Sequence, residues 1–372
     1  MVKGIDGELV RIGVTSRGTQ VEVNPLVVGR KVILLGGTVH HFFAGYGGGR
    51  KSILPGVAGR ATIMQNHAHA LSPTEGKSNP LCGLGVTALN PVHEDMAEAA
   101  ALVGPGFGIN MICDGQGRHL ALPSGHWLTA WEESCKLVDR FNGVDIPQRA
   151  DAVVVCAGGY PKDINLYQSC KSLINGFQAV KPGGKIVFIS ECREGGGPAE
   201  FFGWSRYLPD GTLDAALRAN FTVAGYIFYE CVAIADAAEV HVLSALNPDD
   251  LTAMHMHPHA TAEEIAAKVN AHSLFKNCLG YCIHIALCRA HCICNLICCI
   301  LKLSCLFELT LFDKLIKLDV NLGHYTVGAA DAALCTDKSA ADKLLIGSVE
   351  DNYISASHFC LTDEHLNILN GH

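Results

Sequence analysis

The sequence predicts an α/β protein of two domains, the second of them Rossmann-like with a parallel sheet. The apolar run Asp151–Cys156, followed by two glycines, is typical of a buried parallel strand that ends in a tight loop. A helix-like stretch at 164–180 separates it from a second strand-like run at 185–190, and a third such run lies at 239–243. Strands that alternate with helices indicate a parallel sheet covered by helices.

The 372 residues are enough for two domains, each with its own core. The pattern changes near Arg149, so we expect a first domain over 1–148 and the Rossmann-like domain over 149–272. An atypical tail follows over 273–372. The predicted elements of the first domain are a strand at 31–35 and helices at 61–71 and 91–102.

Composition limits the possible functions. Forty-nine per cent of the residues are hydrophobic and 17% are charged, which is typical of a globular chain. A net charge of −8 offers no broad basic surface, so neither nucleic acid nor a membrane is expected as a partner, whereas a small anionic substrate remains compatible. The first ten residues contain no apolar segment of a secretion signal, and nine cysteines are scattered singly. Both features predict reduced thiols and a cytoplasmic location.

The other eight of the 17 cysteines fall between Cys278 and Cys305, where the composition shifts abruptly. Over 278–309, cysteine, isoleucine and leucine are dense and follow no helical or strand period. The interpretation we favour is an error in the gene model, such as a misread intron or a frame shift. A buried apolar helix is the alternative, and we expect this tract to contribute little to the fold.

Two further interpretations of this tract are weaker. Residues 282–301 are almost uncharged, which suggests a membrane span, but Arg289 lies inside them. Cys292 and Cys294 are close enough to suggest zinc, yet no pair of CxxC spacings is present.

A glycine-rich run between residues 45 and 51 carries the clearest chemical signal. Successive glycine N–H groups can face an anion, and Arg50 and Lys51 add positive charge, so a phosphate-bearing ligand is predicted. The run is not a Walker A loop, because Arg50 stands where that motif needs glycine, and it also lacks the dinucleotide fingerprint. A flexible surface loop is the alternative. The glycines of the run are Gly45, Gly47, Gly48 and Gly49.

Two histidines flank this run: His41 lies ten residues before Lys51, and His67 lies sixteen residues after it. A single histidine is usually structural, but two beside a cationic loop favour a ligand or acid–base role. His40 and His69 are the neighbouring alternatives, and we expect neither to take these roles.

The run from His41 to Lys51, followed by Pro55-Gly56 and Asn66-His67, resembles the cofactor loop of the lactate racemase family. A second run, Ala157–Gln168, resembles the family's second signature, and the likeness extends over roughly residues 5 to 270. It implies that residues 1–148 are the C-terminal part of the family's N-terminal domain.

The resemblance also implies roles for particular residues. Lys51 would bind covalently to a nickel-pincer nucleotide (a pyridinium-3,5-bisthiocarboxylic acid mononucleotide), His67 would ligate the nickel, and His41 would act as general acid and base. Gln168 and Lys171 would lie near the substrate, although Lys171 is equally compatible with a solvated helix position. The remaining predicted cofactor contacts are Gly47, Gly48, Gly49, Arg50 and Tyr167.

The implied function is an isomerase that interconverts enantiomers of a small 2-hydroxy acid by hydride transfer to this cofactor, with the cofactor-synthesis enzymes as partners. A second histidine base and an Asp-x-x-Arg element of the family are expected upstream of Met1. The chain is therefore expected to be N-terminally truncated and weakly active. A non-catalytic cofactor- or nickel-binding protein is the alternative, and the missing glycine fingerprint disfavours an NAD-dependent dehydrogenase.

Overall fold

The computed structural model describes residues 8–268, except Glu75, Gln116 and Pro147, and the backbone of residues 344–348. The described residues divide into two compact units: unit 1 comprises residues 8–144, and unit 2 comprises residues 145–268 with 344–348. The Cys-rich tract at 278–309 lies outside the described residues. The domain limits predicted from the sequence stay predictions.

In unit 1, strands and helices follow one another in no regular order. They are β1 (Val10–Val14), β2 (Gln20–Val23), β3 (Ile33–Gly37), β4 (His40–His41), β5 (Gly45–Tyr46), the 3-10 helix Gly49–Ser52, α1 (Arg60–Ala68), α2 (Pro91–Val103), β6 (Phe107–Cys113), β7 (His119–Ala121), β8 (Ser124–Gly125) and α3 (Trp127–Asn142). The predicted strand and the two predicted helices correspond to β3, α1 and α2 within a few residues. Strand β6 and helix α3 were not predicted from the sequence.

The sheet of unit 1 is built around β6. It pairs in parallel with β3 and antiparallel with β7 and β8. Helix α3 packs on β6 and buries Trp131, Cys135 and Val138 against Ile112 of the strand. These helix residues recur at spacings of three and four, so one face of α3 is apolar.

A buried carboxylate joins three segments of unit 1. Asp95, on α2, is fully buried and accepts hydrogen bonds from the hydroxyls of Thr15 and Thr19 beside the β1–β2 turn. It also accepts a bond of 2.8 Å from the side-chain amide of Asn66 in α1. Burying a carboxylate is unfavourable unless donors surround it, so these bonds fix α1 and the β1–β2 hairpin to α2.

Unit 2 alternates strands and helices. Its elements are β9 (Ala150–Cys156), α4 (Leu166–Phe177), β10 (Val180–Ile189), the 3-10 helix Phe202–Tyr207, α5 (Leu213–Ala219), α6 (Val223–Ala237), β11 (Glu239–Leu243), α7 (Pro248–Ala253), β12 (His257–His259), α8 (Ala262–Lys268) and β13 (Leu344–Ser348). The five strands form a parallel sheet in the order β12-β11-β10-β9-β13. The prediction of an α/β fold with a parallel sheet is confirmed.

The strand-like run predicted at 185–190 starts five residues too late, because it omits Pro182, Gly183 and Gly184. These residues lie inside β10, and the pairing with β9 shifts register between Val180 and Lys185. The irregularity accommodates the proline and glycines while the strand continues between β9 and β11. Helix α4 begins two residues later than predicted, because the side chain of Asn165 caps it by accepting the N–H of Gln168, and it ends at Phe177.

Two further findings concern the state of the cysteines and membrane-spanning helices, and both apply to the described residues alone. The seven cysteines described there are free thiols, as predicted. No helix in the described part of the chain is both long enough and apolar enough to cross a membrane.

Replacing Asp95 by alanine tests the buried carboxylate. Asp95→Ala leaves buried donors without an acceptor, and each costs about 1–3 kcal/mol, so we expect the free energy of unfolding to fall by about 2–5 kcal/mol. Urea denaturation followed by the fluorescence of Trp127 and Trp131 measures the loss, since both lie in α3. The control is Asp236→Ala, whose carboxylate pairs with His255 at the surface and should change stability by less than about 0.5 kcal/mol. Equal losses in the two variants would contradict this role.

Candidate active site

A short hairpin places His41 at the centre of the site. In the β4–β5 pair, His41 lies opposite Gly45. Gly45 has φ of +76°, and a Cβ there would lie 2.4 Å from the carbonyl oxygen of Val86. Only glycine therefore allows both the turn and the close approach of the neighbouring loop. The chain continues directly into the 3-10 helix Gly49–Ser52, which carries Lys51.

Arg50 is fully buried and holds this segment from the inside. Its guanidinium donates to the carbonyl oxygens of Tyr46 at 2.8 Å and Ala44 at 2.7 Å, and its Nε donates to Nδ1 of His93 at 3.0 Å. The guanidinium carbon lies 4.0 Å from the ring centre of Trp131. Burial lowers the pKa of Arg50 to about 9, so the group stays charged at neutral pH.

The glycine amides also bind protein groups. The N–H of Gly47 donates to the carbonyl oxygen of Val39 at 2.8 Å, and the N–H of Gly49 donates to Oδ1 of Asn110 at 3.1 Å. These N–H groups and Arg50 were expected to face an anion, and their observed contacts differ from that arrangement. The assignment of the glycines and Arg50 to a cofactor stays a prediction.

Close packing explains why two of these positions are glycine. A Cβ on Gly49 would lie 2.5 Å from the Trp131 ring, and a Cβ on Gly48 would lie 2.7 Å from the hydroxyl oxygen of Thr38. Both glycines also have positive φ, at +49° and +67°. The loop therefore approaches the sheet and α3 more closely than any other residue type would permit.

The structure brings two of the predicted site residues into contact. Nζ of Lys51 lies 3.0 Å from Nε2 of His41, and the N–H of Ala44 points at Nδ1 of the same ring at 3.3 Å. His41 is 6% exposed and packs against the rings of Phe42 and Phe43, which also contact each other, with His41 centroid distances of 5.0 and 4.6 Å. An acid–base group and a primary amine thus share one apolar environment.

The third predicted residue, His67, joins this group through Phe43. The two rings contact edge to face at 5.0 Å, and Nζ of Lys51 lies 5.6 Å from the centre of the same Phe43 ring. Burial lowers the pKa of His67 to about 3, and a positive charge on Lys51 adds to this. Nδ1 of His67 is buried without a hydrogen-bond partner among the described residues. The ring is therefore neutral, with a buried polar atom left unsatisfied.

The neighbouring histidines have other contacts. His40 lies 2.9 Å from a carboxylate oxygen of Asp139, and His69 lies 3.9 Å from one of Asp95. His93 accepts the hydrogen bond from Arg50, and burial lowers its pKa to about 3. The support that His93 gives to the loop was not predicted from the sequence.

The remaining predicted site residues lie on α4 of unit 2. Tyr167 and Gln168 lie in its first turn, and Lys171 follows three residues after Gln168. Nζ of Lys171 donates to Oε1 of Gln168 at 2.9 Å. This bond groups the ammonium with the amide on one side of the helix. Their roles toward a substrate or cofactor stay predictions.

Two family models match the chain. The lactate racemase N-terminal domain matches residues 4–78, and the lactate racemase C-terminal domain matches residues 146–277. The first match does not bear out the expectation that the chain is truncated at its N-terminus. The order of the two matches is the order of the two signatures in the sequence.

Curated relatives and a solved structure agree with these matches. The lactate racemase of Thermoanaerobacterium thermosaccharolyticum is 36% identical over 200 residues, which are 54% of this chain and 46% of that protein. The lactate racemase of Lactiplantibacillus plantarum is 28% identical over 281 residues, 72% of this chain and 63% of that protein. The chain thus spans about half to three fifths of these relatives.

The structure of the lactate racemase apoprotein from Thermoanaerobacterium thermosaccharolyticum superposes with a TM-score of 0.62 at 30% identity. It covers 70% of this chain and 64% of that one. Taken with the two family models, this likeness shows that the chain belongs to the lactate racemase family.

Proposed function

We propose that this chain is an isomerase that interconverts the enantiomers of a small 2-hydroxy acid, with lactate as the first substrate to test. The observation that carries the proposal is the 3.0 Å contact between His41 and Lys51, beside the buried ring of His67. In one apolar environment, His41 can transfer a proton, Lys51 can anchor a cofactor through its amine, and His67 offers a neutral imidazole. The matched relatives are named lactate racemases.

The residues present fit the nickel-pincer nucleotide that the family resemblance implies. Lys51 would hold the group covalently, and His67 would ligate the nickel. The fit rests on the buried Nδ1 of His67, which has no hydrogen-bond partner among the described residues, and on its lowered pKa, which keeps the ring unprotonated. Nickel binds well to neutral imidazole. When bound, this cofactor would accept a hydride from the substrate carbon and return it.

The chain's own part in the reaction is proton transfer and orientation. His41 would take the proton from the substrate hydroxyl and give it back, and a positioned acid or base of this kind typically contributes about 10²–10⁴-fold. The rings of Phe42 and Phe43 keep water from His41, so electrostatic interactions there are stronger than in solvent.

The second signature would bind the substrate. Lys171 supplies a cation for a carboxylate, and its bond to Gln168 sets the direction of the ammonium. The amide N–H₂ of Gln168 would then donate to a substrate oxygen. Arg50 and the glycines contribute by fixing the backbone that carries Lys51. Enzymes that synthesise the cofactor are the implied partners.

Lys51→Arg tests the function. The guanidinium keeps the positive charge but cannot form the same covalent bond. After co-expression with cofactor-synthesis enzymes, we expect the unmodified sequence to show an added mass by intact mass spectrometry and to convert each lactate enantiomer into the other in a chiral assay. Lys51→Arg should lose both, whereas Lys136→Arg, at an exposed lysine paired with Glu133, should keep both.

Either of two results would contradict the proposal. An added mass that survives in Lys51→Arg would place the anchor elsewhere. Bound cofactor without turnover of either enantiomer would instead support a non-catalytic cofactor-binding protein.

His67→Ala tests the metal ligand. Nickel measured by elemental analysis in co-expressed protein should fall by about tenfold or more, because loss of one ligand weakens a metal site at least as much as loss of a supporting contact. The matched control is His69→Ala, two residues further on and partly exposed, which should retain nickel. Circular dichroism confirms that both variants fold. Nickel retained by His67→Ala and lost by His69→Ala would refute the assignment.

A further inference from the structure

Three histidines lie together at the edge of the parallel sheet in unit 2. Strand β12 is an edge strand, and its pairing with β11 sets His257 opposite His241. Side chains two residues apart in a strand share a face, so His259 lies on the same face as both. The ring centres of His257 and His259 each lie 5.2 Å from that of His241. The edge of the sheet therefore carries a cluster of imidazoles that has no part in the proposed reaction.

Two of these rings meet nitrogen to nitrogen. Nδ1 of His241 lies 3.0 Å from Nε2 of His259. A hydrogen bond here needs one proton between the two nitrogens, and either ring can supply it. Two neutral rings can therefore form the bond, and so can one neutral ring with one charged ring. Two charged rings cannot form it, because both nitrogens would then carry a proton and neither would have a lone pair.

We infer that the imidazole pair of His241 and His259 is an acid-sensitive clip, which holds β12 and α8 on β11 and releases them when both rings are protonated. The backbone of β12 offers little to replace the clip. The strand has three residues, and the middle one, Pro258, has no N–H to give to the sheet. Helix α8 packs on both β11 and β12, so it depends on the same contact. The inference is independent of the proposed function.

The surroundings of His241 disfavour a charge on its ring. The ring is 5% exposed, and burial lowers its pKa to about 4. Positive charge on His259, on His257 and on Lys185 of β10 lowers the pKa further. Glu239 of the same strand opposes these effects, with a carboxylate oxygen 3.5 Å from Nε2 of His241. Burial and three cationic neighbours thus outweigh one carboxylate.

The surroundings of His259 act in the same direction. Burial lowers its pKa, Glu264 of α8 opposes the shift, and positive charge on His257 and on Lys268 adds to it. Together with the groups around His241, these are the electrostatic neighbours of the pair among the described residues. Both rings of the clip are therefore neutral at pH 7 and share one proton between the facing nitrogens.

The shifts fix the pH range over which the clip opens. Both pKa values lie below their ordinary value of about 6.5, whereas rings released into water bind protons near that value. The stability that the clip contributes is fully present above about pH 6.5, and it is lost as the pH falls from there to about 4. Because the two rings interact, this loss belongs to the pair and not to one residue.

Hydrogen exchange of the full chain at pH 7 and pH 5 tests the inference. Protection is the ratio of the exchange rate of an unstructured peptide to the observed rate, which removes the direct effect of pH on exchange. We expect the protection of residues 257–268 to fall about tenfold or more from pH 7 to pH 5, because release raises the pKa values of both rings. Strand β9, which lies inside the sheet, should keep its protection.

Either of two results on the unmodified chain would overturn the clip. Unchanged protection of residues 257–268 would mean that acid does not open it. An equal loss in β9 would mean that acid unfolds the sheet as a whole. This comparison needs no substitution, so it does not depend on the folding of a variant.

Two variants separate the pair from a neighbouring histidine. His259→Gln keeps a side chain that can donate or accept a hydrogen bond but takes up no proton. Its loss of protection between pH 7 and pH 5 should be at least about threefold smaller than that of the unmodified chain. The control is His255→Asn, at a surface histidine that pairs with Asp236, and it should show the full loss. Asparagine tolerates the left-handed backbone there, where φ is +62°. A full loss in His259→Gln would show that the imidazole pair is not the clip.

Discussion

The site depends on a guanidinium that has no contact with solvent. Burying a charge costs several kcal/mol unless every donor finds a partner, and the donors of Arg50 are directed to Ala44, Tyr46 and His93. Two of these acceptors are carbonyls of the hairpin that carries His41. A path of the hairpin without these carbonyls would leave the charge buried and less well paired, so the guanidinium favours the observed conformation of the loop. The ring of Trp131 closes the remaining side of the guanidinium.

A buried carboxylate, Asp95, fixes helix α1 in the same way that Arg50 fixes the hairpin. Asp95 gathers donors from the β1–β2 turn and from Asn66, which precedes His67 in α1. The segment of Lys51 is thus fixed by a cation, and the segment of His67 by an anion. Between them, Phe43 contacts His41 and His67 and lies close to Lys51. Rigid backbone on both sides is what a site needs if it must hold reacting groups within a fraction of an ångström.

The sequence predicted the parts of this arrangement that follow from local pattern. The apolar run before Cys156 predicted β9, and the flanking histidines were grouped with Lys51 before any contact was known. The contacts of Gly49 could not be predicted, because its partners Asn110 and Trp131 lie 61 and 82 residues away along the chain and come close only after folding. Helix α3 could have been found from the spacing of its apolar face, and that signal was overlooked.

Hydrogen exchange in an Arg50→Lys variant measures the central claim most directly. One ammonium cannot reach the acceptors that the guanidinium holds. If Arg50 fixes the hairpin, the peptide over residues 41–52 should exchange about tenfold faster or more in the variant, since a loss of 1.4 kcal/mol in local stability corresponds to tenfold. The strands β9 to β11 of unit 2 should keep their protection. Unchanged protection of residues 41–52 in Arg50→Lys would contradict the account, because the hairpin would then be held without the buried guanidinium.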